Sequence, residues 1–156
     1  ANAFLIGTIK SGVPSLQFSA GYAEEAIREA FGYGCNFFDT AEGYGKELYY
    51  PGHNEEIVGR AVRGFRNEVV IATKLHIRPE AVEDCGSVYA AVRRHLERSL
   101  KNLQIDYVDL YYLHRINMEV DNLEVAHAMG RLIQEGLVRE WAFGRWTRLN
   151  LKRRMP

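Results

Sequence analysis

Short apolar runs alternate along this chain with segments that have the periodicity of amphipathic helices, and this alternation limits the fold more than any other feature. The runs cover residues 4–8, 35–38, 69–73, 107–113 and 137–143. Their starting points lie roughly 30 to 40 residues apart, which is the length of one βα unit. The order β-α-β-α-β-α-β-α-β predicts a parallel sheet with right-handed crossovers. No segment has the composition of a linker, so a single domain over residues 1–156 is expected.

Capping residues and glycines predict where the helices begin and end. A first helical stripe begins near Tyr22 and stops at Gly32. Asn54 is the predicted N-cap of the second helix and Ser87 that of a long third helix. Gly136 closes a fourth helix, and residues 146–155 have the pattern of a further helix start. The run at residues 69–73 is nearly all apolar and β-branched, which is typical of a strand buried on both faces.

The overall charge and the cysteine content exclude several classes of function. Lys and Arg together number 20, as do Asp and Glu, and 47% of the residues are hydrophobic. These values favour a globular protein without affinity for nucleic acid or membranes, and the basic run at residues 152–154 is interpreted as a solvated helical turn. The two cysteines, Cys35 and Cys85, form no CxxC pair. Without an apolar run of about 18 residues or a signal-peptide pattern, we expect a reduced, cytoplasmic setting.

Two further kinds of site are not supported by the sequence. The histidines outside the strand ends have no metal-ligand spacing, and two of them, His95 and His127, fall in the middle of predicted helices and are expected to be exposed. The segments Gly32-Tyr33-Gly34 and Gly43-Tyr44-Gly45 lack the third glycine of a dinucleotide-binding fingerprint. Neither a metal site nor a Rossmann-type loop is therefore predicted.

Polar residues stand where three of the predicted strands end. Asp39, Lys74 and His114 follow three different apolar runs, and Tyr44 comes shortly after the first of them. The carboxyl ends of parallel strands meet at one edge of a sheet or at one mouth of a barrel, so these side chains are expected to lie together. Taken singly, each has an ordinary interpretation as a turn, loop or core residue. Together, an acid, a phenol, an ammonium and an imidazole can carry out proton-coupled chemistry on a carbonyl.

Four segments of the chain resemble the aldo-keto reductases, and they occur in the family's order. They are GCNFFDTAEGYG at residues 34–45, NEEIVG at 54–59, VIATK at 70–74 and DYVDLYYLHR at 106–115. The resemblance implies a (β/α)8 TIM barrel that reduces aldehydes or ketones with NADPH. It also implies Asp39, Tyr44, Lys74 and His114 as catalytic positions. Of these, Asp39 and Lys74 are expected to contact the cofactor, and Tyr44 and His114 the carbonyl substrate.

The length of the chain departs from the resembled pattern. A barrel of this kind typically takes about 250 residues, whereas this chain has 156. We therefore expect the N-terminal part of a barrel, truncated after about five strands, without the later strands in which the resemblance places most of the NADPH site. The fifth strand is also altered, because residues 142–145 read AFGR where the family often has a serine. The chain alone is expected to be inactive.

The same residues are compatible with other functions and folds. Some relatives of this fold are regulatory subunits of membrane channels, although His114 argues against that function because those relatives have asparagine there. A self-associating half-barrel, in which two copies cover each other's open edges, and a complete flavodoxin-like domain are further alternatives. We expect the loop at residues 46–53, with Leu48, Tyr49 and Tyr50, to form one wall of the substrate pocket.

Overall fold

Five parallel strands form one sheet in chain order, β1-β2-β3-β4-β5. The structure, a computed structural model, describes the backbone of residues 2–5 and the whole of residues 20–144. The strands are β1 (Asn2–Leu5), β2 (Cys35–Asp39), β3 (Val70–Leu75), β4 (Val108–Leu113) and β5 (Val138–Phe143). The predicted parallel α/β alternation is thereby confirmed. The predicted helix at residues 146–155 and the basic run at 152–154 lie outside the described residues.

Helices connect successive strands, as parallel pairing requires. They are α1 (Ala20–Gly32), α2 (His53–Val62), α3 (Pro79–Cys85), α4 (Val88–Leu103) and α5 (Asn122–Gln134), with a short 3-10 turn at Arg66–Glu68. Ser87 caps α4 as predicted, because its Oγ accepts a hydrogen bond from the Ala90 N–H. Gly136 has a φ of 76°, which is the left-handed conformation expected just after a helix.

Helix α3 was missed by the sequence analysis. It has only seven residues and none of them is buried, so it carries no apolar stripe that periodicity could detect. Its ends nevertheless follow the usual rules. Pro79 stands in the first turn and Gly86 adopts a φ of 75° after the last residue. The signal was therefore present in the caps and absent from the hydrophobic pattern.

The two faces of the sheet differ in burial. On one face Phe38, Ile71 and Tyr111 are fully buried, whereas Phe37 and Tyr112 on the other face are only half-buried. Alternation of this kind means that one face packs on helices and the other stays open. The prediction that residues 69–73 are buried on both faces is wrong at Val70, which is 38% exposed.

Candidate active site

The centre of the site is an ion pair between two neighbouring strands. Asp39 is the last residue of β2, and Lys74 lies one residue before the end of β3. Lys74 Nζ donates to Asp39 Oδ1 at 2.5 Å and to the Thr40 carbonyl oxygen at 2.8 Å. The Lys74 residue is only 7% exposed. An ammonium that is buried with two acceptors is held in one position, so its charge acts from a defined point.

Parallel register explains why these two residues meet. Asp39 is the Cα partner of Ala72, and Lys74 is the partner of Tyr112. Residues two apart on a strand share a face, so Asp39, Lys74 and Tyr112 all lie on the open face of the sheet. Lys74 Nζ lies 5.8 Å from the centroid of the Tyr112 ring, which fits this placement.

Tyr44 and His114 complete the predicted set. Tyr44 lies on the turn that follows β2, where its N–H bonds to the Ala41 carbonyl at 3.1 Å. Its ring centroid is 4.8 Å from Lys74 Nζ and 6.0 Å from the His114 ring, with the two rings at 81°. His114 directly follows β4, and its N–H donates to Leu75 O at 2.9 Å. The four residues chosen from the sequence are thus brought together.

The imidazole of His114 is kept neutral by its surroundings. Partial burial lowers its pKa below the ordinary value of 6.5, and the positive charges of Lys74 and Arg115 lower that pKa further. A neutral ring has one N–H to donate and one nitrogen to accept. At neutral pH, His114 can therefore hydrogen-bond to a substrate oxygen without adding a second positive charge beside Lys74.

We predict that the His114 imidazole titrates below pH 6.5 and that Lys74→Met moves its midpoint upward. The variant removes the positive charge of Lys74, while burial, the larger cause, remains. Proton NMR of the imidazole signals over pH 4–8 measures both midpoints. Lys101→Met, at an exposed position of α4, is the matched control and should leave the His114 midpoint in place. A midpoint at or above 6.5 in the unmodified chain would contradict the prediction.

Glu42 connects the turn that carries Tyr44 to the segment after β3 and to helix α4, a role that the sequence did not indicate. Its Oε1 accepts from the His76 N–H at 2.7 Å, and its Oε2 lies 2.7 Å from His95 Nδ1 on α4. The prediction that His95 is exposed is therefore wrong, whereas His127 is exposed as expected. His95 lies 53 residues from Glu42. No spacing rule could have paired them.

Buried polar groups hold the start of α2 under the site. Asn54 was predicted as an N-cap, but α2 begins at His53, and Asn54 Oδ1 instead accepts from Thr40 Oγ1 at 2.6 Å. The carboxylate of Glu55 is fully buried and accepts from Thr73 Oγ1 at 2.6 Å. It also accepts from Asn102 Nδ2 at 2.9 Å. Helix α2 is thereby anchored to β3 and α4.

Glu55 is expected to make the stability of the fold depend on pH. Burial raises its pKa above the ordinary 4.5, despite the hydrogen bonds that favour the charged form. The folded protein therefore keeps a proton that the unfolded chain loses above about pH 4.5, and the free energy of unfolding falls as pH rises through the folded pKa. Glu55→Gln should remove this fall, so the variant gains relative to the unmodified chain from pH 4 to 8. Urea unfolding at several pH values, with the exposed Glu80→Gln as control, tests it. Parallel pH curves for the unmodified chain and Glu55→Gln would contradict it.

A cleft of about 790 Å³ opens beside Tyr44 and His114. Its walls come from the loop after β2, the segment after β3 and helix α4, and they include His76, His95 and Asn102. The prediction for residues 46–53 holds only in part. Lys46, Glu47, Pro51 and Gly52 line the cleft, whereas Tyr49 stacks on His53 with ring centroids 4.0 Å apart and Tyr50 meets the same ring edge-on. Neither tyrosine lines the cleft.

Comparison with known proteins decides the family. The sequence model of the Aldo/keto reductase family matches residues 3–153. The chain belongs to the aldo/keto reductase family. The predicted fold class, a TIM-barrel type of which the described residues form five strands, is confirmed.

Three relatives place this aldo/keto reductase chain among proteins of greater length. A protein of Oryza sativa subsp. japonica named "Probable voltage-gated potassium channel subunit beta" is 36% identical over 79% of the chain and 36% of its own length. The uncharacterized oxidoreductase YqkF of Bacillus subtilis is 35% identical over 86% of the chain and 43% of its own length. The aldo-keto reductase of Klebsiella pneumoniae in complex with NADPH shares 32% identity at a TM-score of 0.70, over 85% of the chain and 42% of its own length. The chain thus spans less than half of each relative.

Residues 20–144 contain no group of three His, Cys, Asp or Glu side chains arranged to hold a metal ion. Of the helices that the structure describes, none is both long and apolar enough to cross a membrane.

Proposed function

We propose that this chain supplies the proton-transfer half of a reductase that reduces an aldehyde or ketone with NADPH. One observation carries the proposal. A buried ammonium, Lys74, is fixed by Asp39 at 2.5 Å and lies 4.8 Å from the ring of Tyr44, and the His114 ring lies 6.0 Å from the same tyrosine ring. A phenol, a fixed positive charge and a neutral imidazole at one cleft form the set that carbonyl reduction requires.

In the proposed reaction, Tyr44 is the general acid. A free phenol releases its proton at a pKa of about 10, so proton transfer near neutral pH needs a charge that stabilises the phenolate. Lys74 supplies that charge, and Asp39 keeps the ammonium in place. His114 donates its N–H to the substrate oxygen and orients the carbonyl toward Tyr44. As the oxygen gains negative charge, Tyr44 passes its proton to it.

The residues present fit the reacting end of a nicotinamide cofactor. NADPH supplies the hydride when bound, and the Klebsiella relative was solved in complex with NADPH. In our proposal Asp39 and Lys74 contact the nicotinamide end, because they lie on the open face of the sheet next to Tyr44. The rest of the cofactor site is assigned to strands that continue the barrel beyond β5.

We further propose that the chain is inactive by itself. It spans 42% of the Klebsiella chain, and β5 is the last strand of the described sheet, paired with β4 on one side. The missing part of the barrel is expected from a C-terminal half or from a second copy of the chain. Arg139 and Glu140 of β5 are both exposed, and charged residues on an edge strand oppose uncontrolled pairing. A defined partner is therefore favoured over aggregation.

A regulatory, non-catalytic function is the second candidate. It is favoured by the 36% identity to the rice channel subunit beta. The geometry of His114 argues for the catalytic proposal, because a regulatory subunit has no need of a neutral imidazole 6.0 Å from a tyrosine ring in an open cleft.

Fluorescence titration of NADPH into the purified 156-residue chain, with its mass in solution recorded on the same sample, tests the proposal. We expect no micromolar binding by a monomer. Micromolar binding by a dimer would assign the cofactor site to two copies of the chain. Reduction of an aldehyde by the monomer, lost in Tyr44→Phe, would refute the proposed incompleteness while supporting the proposed chemistry.

A further inference from the structure

Cations without carboxylate partners line the cleft that contains Tyr44 and His114. Four basic lining residues of that cleft belong to this group: Lys46, Arg78, Arg98 and Arg115. All four are exposed, and none forms an ion pair with any residue of the described ranges. Unpaired basic side chains in a concave site attract anions and raise their local concentration.

The acidic residues of the cleft leave these cations available. Glu42 uses both carboxylate oxygens, one on the His76 N–H and one on His95, each at 2.7 Å. Asp84 faces Arg94 at 3.9 Å rather than any of these cations. Glu47 and Glu80 also line the cleft, and both are exposed to solvent without an ion pair in the described part of the chain. Among the described residues, no carboxylate neutralises the unpaired cations of the cleft.

In addition to the effect of burial, the positive charges of the cleft lie close enough to two imidazoles, His76 and His114, to lower the pKa of each. Burial is the main cause that lowers the pKa of His76, and Arg78 and Arg115 lower it further. The pKa of His114 is lowered by burial, then by Lys74 and Arg115. Arg115 thus acts on both rings, and it directly follows His114 in the chain. An anion bound by Arg115 would lie beside the residue that is proposed to orient the carbonyl.

We propose that the substrate is an aldehyde or ketone that carries a carboxylate, which Arg78 and Arg115 bind while the carbonyl lies at Tyr44 and His114. This inference rests on the proposed reductase function and adds the substrate class. Guanidinium groups suit this task because their planar fork matches a carboxylate with two parallel hydrogen bonds. Lys46, on the loop that follows β2, contributes charge without that geometry.

The test compares 4-(hydroxymethyl)benzoate, the alcohol that reduction of 4-carboxybenzaldehyde would give, with its neutral methyl ester. Each is titrated into the 156-residue chain without NADPH, and binding is followed by the NMR signals of His76 and His114. We expect the acid to bind at least about tenfold more tightly than the ester, which corresponds to about 1.4 kcal/mol. Arg78→Gln and Arg115→Gln should each weaken acid binding by about tenfold and leave ester binding unchanged.

The control is Arg63→Gln. Arg63 is exposed, bonds to Gln104 and does not line the cleft, so acid binding should not change. Equal affinity for acid and ester, or unchanged acid affinity in both cleft variants, would overturn the inference. So would competition by 2′,5′-ADP, because the anion site would then belong to the cofactor.

Failure of this inference and failure of the proposed function give different results. A Tyr44-dependent reductase that shows no preference for charged aldehydes would reject the carboxylate and retain the function. Acid binding at the arginines in a protein whose reductase activity does not depend on Tyr44 would overturn the proposed function, and with it the assignment of the anion as a substrate.

Discussion

Replacement of Tyr44 by phenylalanine is expected to lower kcat for carbonyl reduction by about 10²–10⁴-fold in an active reductase that contains residues 20–144. Phenylalanine keeps the ring that lies near Lys74 and His114 and removes only the hydroxyl group, which carries the transferred proton. The loss should therefore appear in kcat, while the affinity for NADPH stays close to that of the unmodified protein. The decrease in NADPH absorbance during aldehyde reduction measures the rate.

Tyr49→Phe is the matched control for this experiment. Tyr49 is 53% exposed, stacks on His53 and does not line the cleft, so its hydroxyl has no proposed part in the reaction. We expect its kcat to match that of the unmodified protein. A Tyr44→Phe enzyme whose kcat lies within twofold of normal would refute the assignment of Tyr44 as the general acid. His114 would then be the next proton donor to test.

Gly59→Ala is expected to destabilise the fold by roughly 1–3 kcal/mol or more, because it adds a methyl group where two helices touch. A Cβ at this position of α2 would lie 2.1 Å from the Leu103 carbonyl oxygen and 2.5 Å from its carbonyl carbon, both in the backbone of α4. Backbone atoms cannot rotate away as a side chain can. The two helices would have to separate, and buried neighbours such as Val58 and Val62 would lose contacts. The urea midpoint of unfolding measures the loss.

Gly130→Ala is the contrasting substitution. Gly130 lies within α5, and a Cβ there meets nothing within 4 Å. Alanine at an open helical position stabilises by about 0.5–1 kcal/mol relative to glycine. The two variants should therefore shift the midpoint in opposite directions. Similar midpoints for both would show that α2 and α4 do not approach as closely as the structure places them.

Where sequence reasoning succeeded, the signal was local or periodic. The strands at residues 35–38 and 107–113 were found because their residues are apolar and their flanks are turn-forming, and each boundary agrees with the structure to within one residue. The same boundaries place Asp39 and His114 at strand ends. Because parallel strands all end at one edge of the sheet, these two residues were predicted to lie close together. Ser87 was predicted as an N-cap because its hydroxyl oxygen can accept a hydrogen bond from a backbone N–H of the first helical turn.

Where sequence reasoning failed, a distant residue had changed the local preference. Asn54 has the side chain of an N-cap, but its side-chain Oδ1 accepts a hydrogen bond from Thr40 Oγ1, and the helix begins at His53, two residues earlier than predicted. The sequence pattern predicts an exposed helical position for His95, yet its side chain is partly buried in contact with Glu42. In both cases the partner lies on another element, at a sequence separation that the periodicity of a helix or strand cannot predict.

The order and direction of the strands, and with them the grouping of Asp39, Lys74 and His114, were determined by the sequence alone. Short-range forces set them, because side-chain periodicity selects strand or helix and parallel pairing then aligns the strand ends. Only the tertiary structure decided how far apart the charges lie: the 2.5 Å contact of Lys74 with Asp39, the bridge from Glu42 to His95, and the absence of carboxylate partners for Arg78 and Arg115 among the described residues. Those features depend on register and helix packing, which bring together residues that are far apart in sequence and whose pairing energies exist only once the fold has formed.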